Sequence, residues 1–296
     1  MSIKETFIKL MRPINIPLTK FVLTKHYRDL KTLSDNKGAK RVLVLAPHMD
    51  DETIGPGGTI RRHVNEGAEV YCVFITDGSN SVSDLSKEEL VKARIHEVNQ
   101  VKNILGLKDI HYMGLPDGNV ESTPEAQVRL KALIEEINPD MIYSTLFVDA
   151  HPDHTNTAKL LSDTLKQLSP NNYIIRLYEI NCAIPPQYMN CVIDISSTIE
   201  QKEQAIEQFE SQAIAFDGFI FLNKVKSNMV QENVTAVEGF LELSVDELIY
   251  HHEKLEKHNG RYPKLFKQVN RTDTLLWAIY QNLALKKQMF ETSLKK

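Results

Sequence analysis

Apolar positions along the chain fall into two alternating patterns. Val42-Leu43-Val44-Leu45-Ala46 is continuously apolar, as in a strand buried on both faces of a parallel sheet. Val70 to Thr76 is a second such run, ending at Asp77-Gly78, and residues 58–66 between the two read as a helix closed by Gly67. Strand, helix, strand in that order predicts a βαβ unit. Ser86-Lys87-Glu88-Glu89 has the form of a capping box, after which Leu90, Ala93, Val98, Val101, Ile104 and Leu105 recur at helical spacing up to Gly106. A short third strand is expected at 111–113, and Thr123-Pro124 sets an N-cap and first-turn proline before a helix through Val128, Leu130, Leu133, Ile134 and Ile137. Strand four spans 141–147. Leu160, Leu161, Leu165 and Leu168 mark another helix, 173–180 and 191–195 two further strands, and a helix begins near Thr198. This alternation predicts an α/β fold with a Rossmann-like, doubly wound and mostly parallel sheet, whose first five strands lie in the order 3-2-1-4-5.

The two ends depart from that pattern. Residues 1–38 place Ile3, Phe7, Ile8, Leu10 and Met11 among Lys4, Lys9 and Arg12, then Pro13 and Pro17, which predicts one or two short amphipathic helices interrupted by the prolines. Residues 39–248 carry the expected catalytic domain. Residues 249–296 read as a helical C-terminal tail, with Leu275, Leu276, Ile279 and Leu283 available to pack on the body. Net charge is −4, yet residues 1–40 hold nine Lys/Arg against three Asp/Glu, a local +6 that leaves −10 for the rest. The chain as a whole lacks the basic field that holds a nucleic-acid backbone, so no nucleic-acid partner is expected. The N-terminal extension is expected to pack on the main domain or on another subunit, so a homo-oligomer would suit it. A basic amphipathic segment also suits peripheral contact with an anionic membrane through residues 1–30.

Hydrophobic residues at 42% and charged residues at 25% are ordinary for a globular protein. Cys72, Cys182 and Cys191 form no CxxC pair, which excludes a disulfide framework but leaves a Cys182–Cys191 bridge open. With no leader pattern and no run of 18 apolar residues, a cytoplasmic, non-spanning protein is expected, membrane-peripheral at most.

Two segments carry chemistry: Pro47-His48-Met49-Asp50-Asp51-Glu52 directly after strand one, and His151-Pro152-Asp153-His154 shortly after strand four. In a doubly wound sheet these strands adjoin at the topological switch point, where ligands bind beyond the carboxyl ends. Segments about a hundred residues apart therefore converge. They bring together imidazoles and carboxylates in the mixture used by a catalytic zinc, with three protein ligands and a fourth position for water. A carboxylate that does not ligate can take that water's proton, and Asp50 and Asp51 can divide these jobs.

These segments resemble the LmbE-like or PIG-L N-acetylglucosaminyl deacetylases, whose signature is an (A/P)-H-x-D-D-E loop after the first strand and an H-P-D-H loop after a later one. The resemblance extends to Thr76-Asp77-Gly78, the Arg94 to Glu97 stretch, Leu115-Pro116-Asp117-Gly118, Ser211-Gln212 and Glu238-Gly239-Phe240, covering about 41 to 248. It implies one Zn2+ per chain held by His48, Asp51 and His154, with Asp50 as general base. It further implies that His151 stabilises the oxyanion and, as imidazolium, protonates the departing amine, that Asp153 orients His151, and that Arg94 and Asp117 contact substrate. Met49 replaces the commoner proline, and Asp149 falls in the stretch where some relatives carry a catalytic tyrosine. The implied reaction is hydrolysis of the acetamide of an N-acetylated sugar or glycan. The alternatives are a zinc amidase acting on another acyl amide, and a non-catalytic, metal-bearing sugar-binding relative.

Other residues invite plainer readings. His251 and His252, beside Glu253 and Lys254, read as a solvated helix face, and His96 and His111 as core or surface residues. Gly55-Pro56-Gly57-Gly58 lacks the lysine and hydroxyl of a phosphate loop, so its glycines read as room for the backbone and for helix entry.

Overall fold

The computed structural model describes residues 3–80, 83, 85–168, 172–212, 214–256 and 265–294. Five strands, β1 (Arg41–Ala46), β2 (Glu69–Thr76), β3 (Asp109–Leu115), β4 (Met141–Thr145) and β5 (Ile174–Tyr178), are parallel and lie in the order β3-β2-β1-β4-β5. That order is the one expected from the apolar runs. Val42 to Ala46 and all of β4 are buried, as strands covered by helices on both faces must be.

The far edge differs from the simple alternation. β6 (Cys191–Asp194) does not pair with β5; β7 (Val237–Leu243) lies between them, antiparallel to both. The sequence Val-Glu-Gly-Phe-Leu-Glu-Leu hides this strand, because a glutamate and a glycine interrupt the apolar run. Both are explained by neighbours distant in sequence. A side chain at Gly239 would collide with Met189. The Glu238 carboxylate accepts from Gly58 N (2.9 Å) and Thr59 N (2.8 Å), and Lys202 Nζ lies 2.6 Å away. An acceptor is thus supplied to the orphan N–H groups opening helix α3 (Gly57–Asn65). Gly58 itself is required, since a Cβ there would lie 2.9 Å from Ile195.

Around the sheet lie α1 (Ile3–His26), α2 (Asp51–Ile54), α3, α4 (Lys87–Leu105), α5 (Pro124–Ile137), α6 (Pro152–Leu165), α7 (Ile199–Ile206), α8 (Asp217–Lys226), α9 (Val245–Glu256), α10 (Leu275–Tyr280) and α11 (Leu283–Leu294). Ser86 and Glu89 form the expected capping box on α4, and Thr123 caps α5 with Pro124 in its first turn. Where two interrupted helices are expected at the N-terminus, α1 runs unbroken through Pro13 and Pro17. Both prolines lie on the exposed side, where water can satisfy the carbonyls they leave unpaired.

The boundary expected at 249 falls inside α9, and part of the C-terminal extension, 257–264, lies outside the described residues. His251 and His252 are not on a solvated face: both are buried, packed against the Phe147 ring at 5.5 and 4.8 Å between centroids. All three cysteines are free and buried, so no Cys182–Cys191 bridge forms.

Candidate metal centre

The carboxyl ends of β1 and β4 open on a cleft of about 320 Å³. Its wall includes His48, Asp50, Asp51, Arg94, Asp117, His151 and His154. The first loop turns tightly from β1 into α2, with Asp50 N and Asp51 N both directed at the His48 carbonyl (3.1 and 3.3 Å). It is pinned from outside: Thr76 N and Oγ1 donate to Pro47 O, and Gln212 Nε2 donates to Met49 O at 2.7 Å. Ser211 is held in turn by the Glu97 carboxylate through its N–H (2.7 Å) and hydroxyl (2.8 Å).

Three donor atoms converge. His48 Nδ1 is 3.2 Å from Asp51 Oδ2 and 3.3 Å from His154 Nε2, which is 3.3 Å from Asp51 Oδ2. For ligands about 2.0–2.1 Å from a tetrahedral ion, the edge of the tetrahedron is about 3.3–3.4 Å. The three donors therefore have the spacing of one face around a single small cation. His48, His151 and His154 also bring one ring nitrogen each within 4.8 Å of one another, and a ring nitrogen of His48 and a carboxylate oxygen each of Asp117 and Asp153 do the same.

What engages the remaining ring nitrogens separates these groupings. His48 Nε2 faces carboxylates, Asp153 Oδ2 at 3.2 Å and Asp117 Oδ1 at 3.3 Å. His154 Nδ1 faces Asp149 Oδ1 at 3.0 Å. Each imidazole thus turns one nitrogen to the triangle and gives the other to a buried carboxylate, the outer arrangement typical of metal-binding histidines. His151 is different: it N-caps α6, and its Nδ1 accepts from Asp153 N at 3.2 Å. In the neutral ring the proton then sits on Nε2.

The electrostatics suit a cation. Burial alone would lower the pKa values of His48 and His154, but the surrounding carboxylates raise both, His154 to about 10. Burial also opposes ionisation of Asp51, yet the charge of His154 and bonds from both histidines hold it far below the usual carboxylate range. Asp50 is raised to about 6, first by burial and then by the Asp51 charge. His151 is lowered to about 4, first by burial and then by the charges of His154 and His48. Of the cleft carboxylates Asp50, Asp51 and Asp117, Asp50 is the one raised above the usual range.

Several residues sit differently from expectation. The Asp153 backbone N–H, not its carboxylate, bonds His151; the carboxylate accepts from His48, Gly118 N (2.7 Å) and Val120 N (3.1 Å), so it orients His48 instead. Asp117, expected at substrate, lines the cleft but also touches His48 and accepts from Asn80 N at 2.9 Å. Arg94 lines the cleft from α4, buried, and its charge lowers the pKa of both Asp50 and Asp117. The sequence marks Asp149 only as standing in the stretch of a relative's tyrosine; its role as acceptor from His151 N, Asn181 N and Nδ2 and Cys182 N was not foreseen. Sequence reasoning also missed Gln268 and Asn270, through which the C-terminal extension joins the cleft wall.

Fold and site together define the class: a metal-dependent hydrolase of the α/β type, its centre at the topological switch point. Residues 43–165 match the family described as PIG-L, GlcNAc-PI de-N-acetylase. Diacetylchitobiose deacetylase of Thermococcus kodakarensis is 30% identical over 203 residues, 62% of this chain and 74% of the relative. A probable N-acetyl-alpha-D-glucosaminyl L-malate deacetylase 2 of Bacillus anthracis is 27% identical over 191 residues, 60% of this chain and 83% of the relative. Among solved structures, N,N'-diacetylchitobiose deacetylase from Pyrococcus horikoshii, in complex with its inhibitor MPG, matches with a TM-score of 0.62 at 26% identity, covering 83% of this chain and 94% of that one. The chain belongs to the PIG-L, LmbE-like family.

Proposed function

We propose that this protein hydrolyses the acetamide of an N-acetylhexosamine-containing small molecule or glycan, releasing acetate and a free amine, with one Zn2+ held by His48 Nδ1, Asp51 Oδ2 and His154 Nε2. The observation that carries the reading is the triangle of these three donors, with Asp50 beside it in the same cleft. Two imidazoles and one carboxylate are a known catalytic zinc set. When bound, the ion supplies Lewis acidity at the acetamide oxygen and lowers the pKa of water to about 7. The relatives named above act on N-acetylated sugars, and the cleft is at the small end of the ~300–1,000 Å³ range of small-molecule sites.

The chain's own groups divide the remaining work. Asp50 accepts a proton from the attacking water as its oxygen bonds to the acetyl carbon. His151, with Nδ1 already accepting from Asp153 N, has Nε2–H to donate to the developing oxyanion. As the carbon–nitrogen bond breaks, Asp50 returns its proton to the amine. This assigns both proton transfers to one carboxyl group, Asp50, which burial and the neighbouring Asp51 charge raise above the ordinary carboxylate range, and it gives His151 the part of a donor through Nε2–H. Asp153 and Asp149 hold His48 and His154 in the tautomers that face the ion. Arg94 and Asp117 are assigned to substrate contact from their place on the cleft wall.

The test is acetate release from a panel of N-acetylglucosamine derivatives, run beside metal analysis. Asp50→Ala should keep its metal and lose about 10²–10⁴-fold in kcat. Near-normal kcat in that variant would remove Asp50 as the base, and a wild type that releases no acetate from any N-acetylated sugar would overturn the substrate assignment.

A further inference from the structure

The outward face of α1 carries an exposed apolar stripe. Leu10, Ile14, Leu18 and Phe21 follow one another at spacings of four, four and three, so they share a single side of the helix. They are 76%, 65%, 51% and 59% exposed. The opposite side is docked: Thr19, Leu23 and Tyr27 are fully buried, and Asn15 Nδ2 donates to the Asp273 carbonyl. At the end of α1 the C-terminal extension sets the Tyr280 ring against His26, and Trp277, on the same short helix as Tyr280, is exposed as well. Amphipathic rings of this kind favour a membrane–water boundary.

Positive charge is concentrated on the same surface. Lys20, Lys25 and Arg28 are exposed; Lys25 Nζ lies 4.0 Å above the Phe21 ring, and Lys267 Nζ lies 5.1 Å from Trp277. Residues 1–40 carry +6 in a molecule of net −4. This charge decides between occupants. A second copy seated here would bring Lys20, Lys25 and Arg28 of two copies together, whereas an anionic lipid surface is complementary to these charges and accepts the apolar stripe. Among the described residues no helix is long and apolar enough to cross a membrane. Pro13 and Pro17, on the exposed side, leave carbonyls that need water, which is present at headgroup level and absent from the hydrocarbon core.

We infer that α1 and the adjoining Trp277–Tyr280 edge form an in-plane docking surface for an anionic membrane, with the rings and leucines at the acyl boundary and the lysines among the headgroups. The segment that lines the cleft at Gln268 and Asn270 runs on to Asp273, which meets the docked side of α1 through Asn15. The full-length protein is to be sedimented with vesicles of phosphatidylcholine mixed with phosphatidylglycerol, and with vesicles of phosphatidylcholine alone. Binding is expected to the mixed vesicles, weakened by salt. It should fall about fivefold for each of Lys20→Gln and Lys25→Gln, following the contribution of one basic residue at an anionic surface. Ile14→Asp with Phe21→Asp, both on the exposed face, should abolish it while preserving the circular dichroism spectrum and acetate release from soluble substrate. That last readout keeps failure of this proposal distinct from failure of the catalytic one. Absence of vesicle binding, equal binding by these variants, or a dimer in sedimentation that the Ile14/Phe21 variant loses would each overturn the proposal.

Discussion

Asp149→Asn removes one charge and one acceptor from the most heavily bonded carboxylate near the centre. Its Oδ1 accepts from His151 N (2.8 Å) and Asn181 Nδ2 (3.1 Å) and lies 3.0 Å from His154 Nδ1, while Oδ2 accepts from Asn181 N (2.9 Å) and Cys182 N (3.3 Å). Burial pushes this carboxyl up, but the His154 charge and these bonds outweigh it and hold Asp149 below the usual range. An asparagine would keep its oxygen on the three-donor side and turn its NH2 against two backbone N–H groups. Each N–H left unpaired costs about 1–3 kcal/mol, so the fold should lose about 2–6 kcal/mol, less whatever the loop recovers by moving. Metal binding suffers separately, because His154 Nδ1 then faces a neutral amide oxygen. Loss of such an outer partner typically costs about 10–100-fold in metal affinity, or about 1.4–2.8 kcal/mol. Urea denaturation of the metal-free protein measures the first effect, and zinc competition against a chelator the second. A folded Asp149→Asn protein binding zinc within about twofold of wild type would refute the assignment of Asp149 as the group that orients His154.

Two further perturbations probe the cleft wall and the core. A Cβ at Gly218 would overlap the Val269 carbonyl and lie 2.6 Å from Arg271 N, so Gly218→Ala must displace the segment that carries Gln268 and Asn270 to the cleft. We expect about 1–3 kcal/mol of destabilisation and a raised KM with kcat little changed; unaltered KM and stability would show that this segment plays no part in substrate binding. Arg176 donates to the Tyr143 hydroxyl at 2.9 Å, and that hydroxyl pairs with His63 Nε2, also at 2.9 Å, which sets the buried imidazole beside the guanidinium charge. Burial and then the Arg176 charge lower its pKa from 6.5 to about 3. The unfolded chain takes up a proton below about 6.5 that the native state refuses, so stability is complete above that pH and falls toward pH 3 by up to about 1.4 kcal/mol per unit. Urea denaturation across this range should give a shallower pH slope for His63→Gln, and an unchanged slope would contradict the buried neutral state.

The parts of the fold that were legible are those whose reasons are local. The order of β1 to β5 follows from continuous apolar runs, and the caps of α4 and α5 from residues three apart. β7 was hidden because Glu238 and Gly239 answer to α3, Lys202 and Met189, none of them near in sequence. For His251 and His252 the signal was present and overruled by composition. Leu248 and Leu255 lie seven apart with the histidines between them at helical spacing, so the four share one face of α9 despite the charged neighbours. The unbroken course of α1 depended on which side its prolines would take, and that is fixed only by what the other side docks against.

The site divides in the same way. His48 and Asp51 are three residues apart on one tight turn, so a motif can specify them together. In the second loop, His151 and His154 carry equal chemical promise on paper, and the fold separates them by deciding which nitrogen is already engaged. His154 has Nδ1 on Asp149 and is left with Nε2 for the triangle; His151 has Nδ1 on the Asp153 N–H and is left with a donor. Asp153, adjacent to His154, is drawn instead to His48, 105 residues away. A carboxylate in a motif is therefore known by its sequence as an acceptor, and by its fold as an acceptor from a particular ring. Ligand identity is a property of residue type and spacing, whereas tautomer, and with it the split between holding the ion and stabilising the oxyanion, is set by partners that only the closed sheet brings into reach.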